Sequence, residues 1–230
     1  VGILDLVAKQ LDKANFTYQV FTEVQPDPTV EVAIRSFEAA KAYRPDVIVG
    51  LGGGSSLDIS KVTSVLLKNK GPVEKYFGME LIPHPGISLI LIPTTAGTGS
   101  EMTSICVLAD SQSNVKKGIV SEHMFADVSL LDPELTIGLP PKITAMTGMD
   151  AFVHALESYV SLKANPITDG INLYAIELNT KNIRPFVANR SNLDAGLKML
   201  CASTLAAMGF SNTGAGNVHC MARFVGALFH

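Results

Sequence analysis

Apolar side chains recur at helical spacing through residues 3–14, at Ile3, Leu4, Val7 and Leu11, and then alternate with polar ones from Thr17 to Thr22 as in a strand. Pro26-Asp27-Pro28-Thr29 makes a rigid turn whose Thr29 can cap a helix over residues 30–42, and Pro45 precedes a strand at 46–50. A helix to Leu67, a loop over 71–86 and a strand at 87–92 continue the alternation. Residues 102–108, 117–121 and 128–131 read as further strands around a turn at 111–114. This pattern predicts a mostly parallel sheet wrapped by helices. From Asp132-Pro133 onward the alternation stops, and Pro140-Pro141 opens helical patterns at 142–161, 166–186, 192–212 and 215–229. The expected division is an α/β domain over residues 1–135 and an all-helical domain over 136–230.

Composition narrows the setting. The 230 residues, 47% hydrophobic and 17% charged, suit a well-buried core. The net charge of −3 comes from interspersed charges of both signs, and no Lys/Arg cluster offers a track for phosphates, so nucleic acid is not an expected partner. Apolar runs such as Ile87–Ile92 are too short to cross a bilayer, and Val1–Gln10 lacks the form of an export signal. No membrane anchoring is expected. Cys106, Cys201 and Cys220 are an odd set without metal-type spacing, which fits a reducing cytoplasm.

Three stretches carry candidate chemistry. Strand residues Val47-Ile48-Val49 run into Gly52-Gly53-Gly54-Ser55 and then a helix. Such a turn lets backbone N–H groups approach a pyrophosphate, aided by the positive end of the helix dipole. The alternative is a tight turn with Ser55 or Ser56 as helix cap. The strand at 87–92 empties into Pro93-Thr94-Thr95-Ala96-Gly97-Thr98-Gly99-Ser100-Glu101, whose hydroxyls suit ribose and phosphate contacts but also suit a Ser/Thr-capped loop. Asp150 and His154 stand four residues apart in a helical pattern, so carboxylate and imidazole can converge on one divalent cation, or merely form a solvated contact. Taken alone, His219 on the last helix is an ordinary packed or exposed histidine.

Together these segments resemble the iron-containing (group III) alcohol dehydrogenase family. The likeness rests on GGGSSLDISK at 52–61, IPTTAGTGSE at 92–101, LDPELT at 131–136, GMDAFVHALESY at 148–159 and NVHCMA at 217–222, and covers essentially the whole chain. It implies a dehydroquinate synthase-like fold with a nucleotide-binding α/β domain, a helical domain, and metal and nicotinamide meeting between them. It further implies that Asp150, His154 and His219 are metal ligands, catalytic through that metal, for Fe(II) or alternatively Zn(II). Gly53, Gly54 and Ser55 correspond to the pyrophosphate turn, and Asp27, Thr94, Thr95, Thr98, Thr103 and Lys116 fall where similar proteins contact NAD or NADP. The implied activity is hydride transfer between NAD(P) and a small alcohol or aldehyde. A hydroxyacid-oxoacid transhydrogenase and a non-catalytic nucleotide-binding remnant are the alternatives; a metal-free maleylacetate reductase is disfavoured by Asp150 with both histidines. The family's second downstream histidine is Arg223 here, and its fourth ligand and first strand would lie outside residues 1–230, making the chain truncated at both ends. This 230-residue form is therefore expected to hold metal weakly, to be nearly inactive and to self-associate as a homodimer or larger homo-oligomer.

Overall fold

The computed structural model describes residues 2–110 and 115–229. Helix α1 (Ile3–Lys13) is followed by α2 (Val30–Tyr43), strand β1 (Val47–Gly52) and α3 (Gly54–Leu66). Then come β2 (Gly78–Met79), β3 (Ser88–Pro93), β4 (Ile105–Asp110), β5 (Val115–Val120) and β6 (Val128–Ser129). Four helices complete the described chain: α4 (Pro141–Tyr159), α5 (Pro166–Ala188), α6 (Leu193–Thr213) and α7 (Asn217–Phe229).

The strands form two small sheets rather than one. One is wholly parallel in the order β1-β3-β6, with Gly52 opposite Pro93, so that both strands end side by side. The other has the order β2-β5-β4, and there β4 and β5 run antiparallel. The expected mostly parallel arrangement holds, since β1-β3, β3-β6 and β2-β5 are parallel and β4-β5 is antiparallel; the difference from expectation is the division into two sheets. Residues 17–22, expected as a strand, join no ladder among the described residues; Tyr18 and Val20 remain exposed, and alternation without a neighbouring strand supplies no hydrogen-bond partner. The expected loop at 71–86 contains a 3-10 turn (Val73–Tyr76) and β2. The expected strand at 102–108 starts later, because Met102 N–H bonds Gly99 O and closes a 3-10 turn first. The strand expected at 128–131 is only two residues long, and the turn expected at 111–114 lies outside the described residues.

Helix α3 is the centre of the α/β part. Leu57, Ile59, Lys61, Val62, Val65 and Leu66 are all buried on it. Ile59, Val62, Val65 and Leu66 pack with Val30, Val32 and Ala33 of α2 and with Cys106, Leu108 and Ile119 of the mixed sheet, whereas Leu57 meets Leu89 and Leu91 of the parallel sheet. Burial on nearly all sides takes in the polar Lys61, Thr63 and Ser64 as well as the apolar residues, so burial is wider than the apolar stripe of residues 57–66 indicates.

Among the helices, α4, α5 and α6 cross where Ala155, Ala175 and Ala206 meet, small side chains that let backbones approach. Asn165 caps α5 by accepting from the N–H groups of Ile167 and Thr168, and Thr168 closes the reciprocal bond. Helix α6, contrary to the expectation that no run suffices, is long and apolar enough by length and composition to span a bilayer. Its apolar character has another physical source: Met199, Leu200, Ala202, Ala206 and Ala207 are buried within the bundle.

Candidate nucleotide turn and metal centre

The turn after β1 begins α3 directly. Gly53 is the N-cap residue and no side chain caps the helix, so neither Ser55 nor Ser56 takes that role. Gly52 has φ +146°, and a Cβ there would stand 2.6 Å from Ser56 Oγ. Because β1 and β3 end together, Gly53 and Gly54 face the loop after β3. A Cβ on Gly53 would contact Thr95, and one on Gly54 would lie 2.8 Å from Thr98. The N–H of Thr94 donates to Gly52 O at 2.9 Å. Gly53, Gly54, Thr94, Thr95 and Thr98 are thus brought together, with Ser55 in the first turn of the helix.

The remaining cofactor candidates lie elsewhere. Lys116 on β5 forms an ion pair with Asp27 at 2.6 Å, across 89 residues of sequence, and Asp27 adopts a left-handed backbone with φ 55°. Thr103 is buried, with its hydroxyl accepting from Lys61 Nζ at 3.1 Å and donating to Ser100 O at 3.3 Å. It supports the loop from inside rather than facing a ligand.

Lys61 was overlooked by sequence reasoning. Its side chain is 0% exposed, pairs with Asp58 at 3.2 Å and donates to the carbonyls of Thr103 and Ile105. Asp58 also accepts from Ser100 Oγ at 2.6 Å and Val107 N–H at 2.9 Å. One buried ion pair therefore stitches α3 to the loop and to β4. Two opposite charges at i and i+3 were the available signal.

On α4, Asp150 and His154 share a face, and α7 adds His219; one ligand atom from each lies within 4.8 Å of the others. His219 Nε2 is 3.3 Å from Asp150 Oδ1, and His154 Nδ1 is 3.8 Å from Asp150 Oδ2. That Nδ1 is buried and has no hydrogen-bond partner. An orphaned imidazole nitrogen beside a carboxylate and a second imidazole is a donor set that fits a divalent cation. The His154 ring stacks between Phe210 and His219, at 4.4 and 4.0 Å between centroids. Burial lowers its pKa to about 4, with His219 adding to the effect, against the opposing pull of Asp150 and the Gly97 backbone. His154 is therefore neutral at physiological pH, the form that ligates metal. His219 is shifted upward, chiefly by its contact with Asp150 and also by Glu157, against partial burial.

Glu157 was also overlooked. It accepts from His219 Nδ1, from Gly216 N–H at 3.0 Å and from Val218 N–H at 2.6 Å. Burial pushes its carboxyl up, but these three hydrogen bonds outweigh that and leave it lowered. Its position three residues after His154 and seven after Asp150, on the same helix face, was the legible sign. Arg223 is in α7 with its side chain outside the description, and His230 lies outside the described residues. Beside Asp150 and His219 opens a cavity of about 230 Å³ lined by Met146, Met149, Val153, Val218 and Ala222.

The loop after β3 joins the two groups. A Cβ on Gly97 would stand 2.7–2.9 Å from the Cβ, backbone O and Cα of Thr147 on α4. Gly99, with φ +60°, touches Ala207 and Ser203 of α6, and Ala96 packs among Phe186, Met199 and Leu200. Glu101 is buried, and its Oε1 accepts from Thr204 of α6 at 2.8 Å. Burial raises its pKa, against its own backbone N–H, Thr204 and Lys61. A raised carboxyl pKa penalises the fold above that pKa, and the penalty fades as pH falls through it. Glu101→Gln keeps an oxygen for Thr204 without the charge. It is expected to stabilise the protein at neutral pH, measured by thermal melts, and to lose that advantage on acidification; an advantage that grows on acidification would contradict this.

Comparison with known proteins agrees with both halves. Residues 1–133 match the family model described as iron-containing alcohol dehydrogenase, and residues 144–230 match that of the Fe-containing alcohol dehydrogenase family, C-terminal. The chain is 50% identical over 219 residues to sulfoacetaldehyde reductase of Bilophila wadsworthia, covering 95% of this chain and 57% of that protein. It superposes on the crystal structure of 1,3-propanediol oxidoreductase with TM-score 0.96 and 39% identity, covering 100% of this chain and 60% of that one. On sulfoacetaldehyde reductase from Bifidobacterium kashiwanohense, solved in complex with NAD+, the TM-score is 0.90 at 32% identity, covering 99% and 61%. The chain thus spans less than two thirds of the length of these relatives. With one family model matching its α/β part and the other its helical part, the chain belongs to the iron-containing alcohol dehydrogenase family.

Proposed function

We propose that the protein transfers hydride between a nicotinamide dinucleotide and a small alcohol or aldehyde, aided by a divalent metal. The observation that carries this reading is the loop Thr94–Glu101, which touches the glycine turn at Gly53 and Gly54 and the metal-candidate helix at Thr147. Residues 1–135 form the nucleotide domain and 136–230 the metal domain. The uncapped start of α3, with Gly53, Gly54 and Ser55, binds the pyrophosphate of NAD or NADP, and Thr94, Thr95 and Thr98 orient the rest, with Asp27, Thr103 and Lys116 in supporting positions. Asp150, His154 and His219 hold Fe(II), or Zn(II) by the ordinary affinity order, and that ion supplies Lewis-acid polarisation of the carbonyl oxygen. Met146, Met149, Val153 and Val218 line the open cavity beside this centre and offer an apolar surface to the carbon chain of the aldehyde.

The 50% identical relative makes sulfoacetaldehyde the first substrate to try, followed by the aldehyde of a short diol. The working form is a cytoplasmic homo-oligomer, in keeping with three cysteines that form no disulfide and with exposed Leu162, Ile167 and Tyr174. NADH oxidation across these aldehydes by the Fe(II)-loaded protein, prepared at the full length of its relatives, tests the reading. Metal-dependent turnover supports it; nucleotide binding with neither metal nor turnover contradicts it. Gly54→Ala pushes a methyl into Thr98 and separates the turn from its facing loop. NADH affinity, read by fluorescence titration, is expected to fall about tenfold, the equivalent of one or two backbone hydrogen bonds to phosphate. Unchanged affinity would remove the turn from the site.

A further inference from the structure

Glu157 occupies a position that the ligand set alone does not require. It sits on α4, yet all three of its hydrogen bonds go to the start of α7: the N–H of Gly216, the N–H of Val218 and Nδ1 of His219. The two backbone donors belong to the first turn of α7 and its approach, where N–H groups have no intrahelical partner. A Cβ on Gly216 would stand 2.9 Å from Glu157 Oε1, so any larger residue would push the carboxylate from this place. The carboxylate is 8% exposed and ringed by donors. An imidazole that donates from Nδ1 to this carboxylate keeps Nε2, 3.3 Å from Asp150, as the nitrogen that a cation can take in place of a proton.

We propose that Glu157 is a positioning residue with two linked tasks. It caps α7, and through the same carboxylate it selects the His219 tautomer whose Nε2 is free to ligate. Outer carboxylates of this kind orient a ligating histidine, and losing one typically weakens metal binding about 10- to 100-fold. Capping and tautomer choice share one group, so the helix cannot dock in register without presenting the ligating nitrogen. The inference rests on the metal centre proposed above.

The test uses Glu157→Gln, which is the same size but cannot accept from all three donors, together with Glu157→Asp as the partial rescue. Two quantities are read: Zn(II) affinity by competition with a chromophoric chelator, and the His219 tautomer by ¹⁵N NMR of the metal-free protein at a pH high enough for the ring to be neutral, with His219→Asn identifying the signal. Glu157→Gln is expected to weaken Zn(II) binding about 10- to 100-fold and to shift the imidazole away from the Nδ1–H form, with Glu157→Asp intermediate and NADH affinity unchanged. A folded Glu157→Gln protein with wild-type tautomer and wild-type Zn(II) affinity would overturn the proposal. If the unaltered protein binds no metal at all, the metal-centre reading fails instead, and the tautomer measurement still decides the role of Glu157.

Discussion

Replacing Asp150 with alanine should abolish metal-dependent turnover and weaken metal binding by about 100-fold or more, while leaving NADH affinity within about twofold. The carboxylate is the anionic member of the candidate triad, and it stands within reach of both imidazoles. Without it, His154 Nδ1 and His219 Nε2 face water and each other, two neutral donors with no charge to offset the dehydration of a dication. The glycine turn faces Thr95, Thr98 and Ser56, whereas Asp150 pairs with His154 and His219. The loop at 94–101 links the two sites, but its contact with α4 is at Thr147 and not at the Asp150 carboxylate, so removing that carboxylate is expected to leave the turn's contacts in place. His154→Ala should act in the same direction, with an added loss of stability because its ring fills the space between Phe210 and His219. Metal content after dialysis and NADH titration check both variants. A folded Asp150→Ala protein that keeps its metal, or loses nucleotide, would count against this separation of roles.

Lys61→Met is expected to cost about 3–5 kcal/mol of stability. The lysine is fully buried and holds Asp58 and two carbonyls. Removing it leaves a carboxylate with only Ser100 Oγ and Val107 N–H in a poorly hydrated place. The double change Lys61→Met with Asp58→Leu should recover part of the loss, since an apolar pair of similar volume leaves no unpaired charge. Urea unfolding of the two variants measures both effects, and a loss under about 1 kcal/mol for Lys61→Met would show that the pair is solvated. NADH affinity should also fall in Lys61→Met, because Ser100 and Thr103, which frame the loop, both belong to this network.

Much of this was legible from residues. The helices at 30–42 and from 142 onward showed themselves through apolar spacing and through Pro140-Pro141 at the first helical start, and their bounds lie within about two residues of the expectation, whereas the Asn165 cap of α5 was not read from the sequence. The strand-turn-helix at 47–66 was equally plain. Sheet order was not, because whether β4 and β5 join the parallel sheet depends on contacts far apart in sequence that alternation does not encode. Residues 17–22 had strand composition but pair with no strand among the described residues. Lys61 was passed over because lysines are rarely buried, and only its four acceptors explain why this one is. Asp150 and His154 were readable from spacing, whereas bringing His219 beside them takes the packing of α7 on α4 through Glu157.

The proposed centre stands or falls on direct transfer between its two halves. NADH carrying deuterium at C4 of the nicotinamide, incubated with the Fe(II)-loaded protein and a small aldehyde, should yield an alcohol with one deuterium on its carbinol carbon, drawn from only one of the two C4 faces. An alcohol without the label, or label lost to solvent, would contradict it.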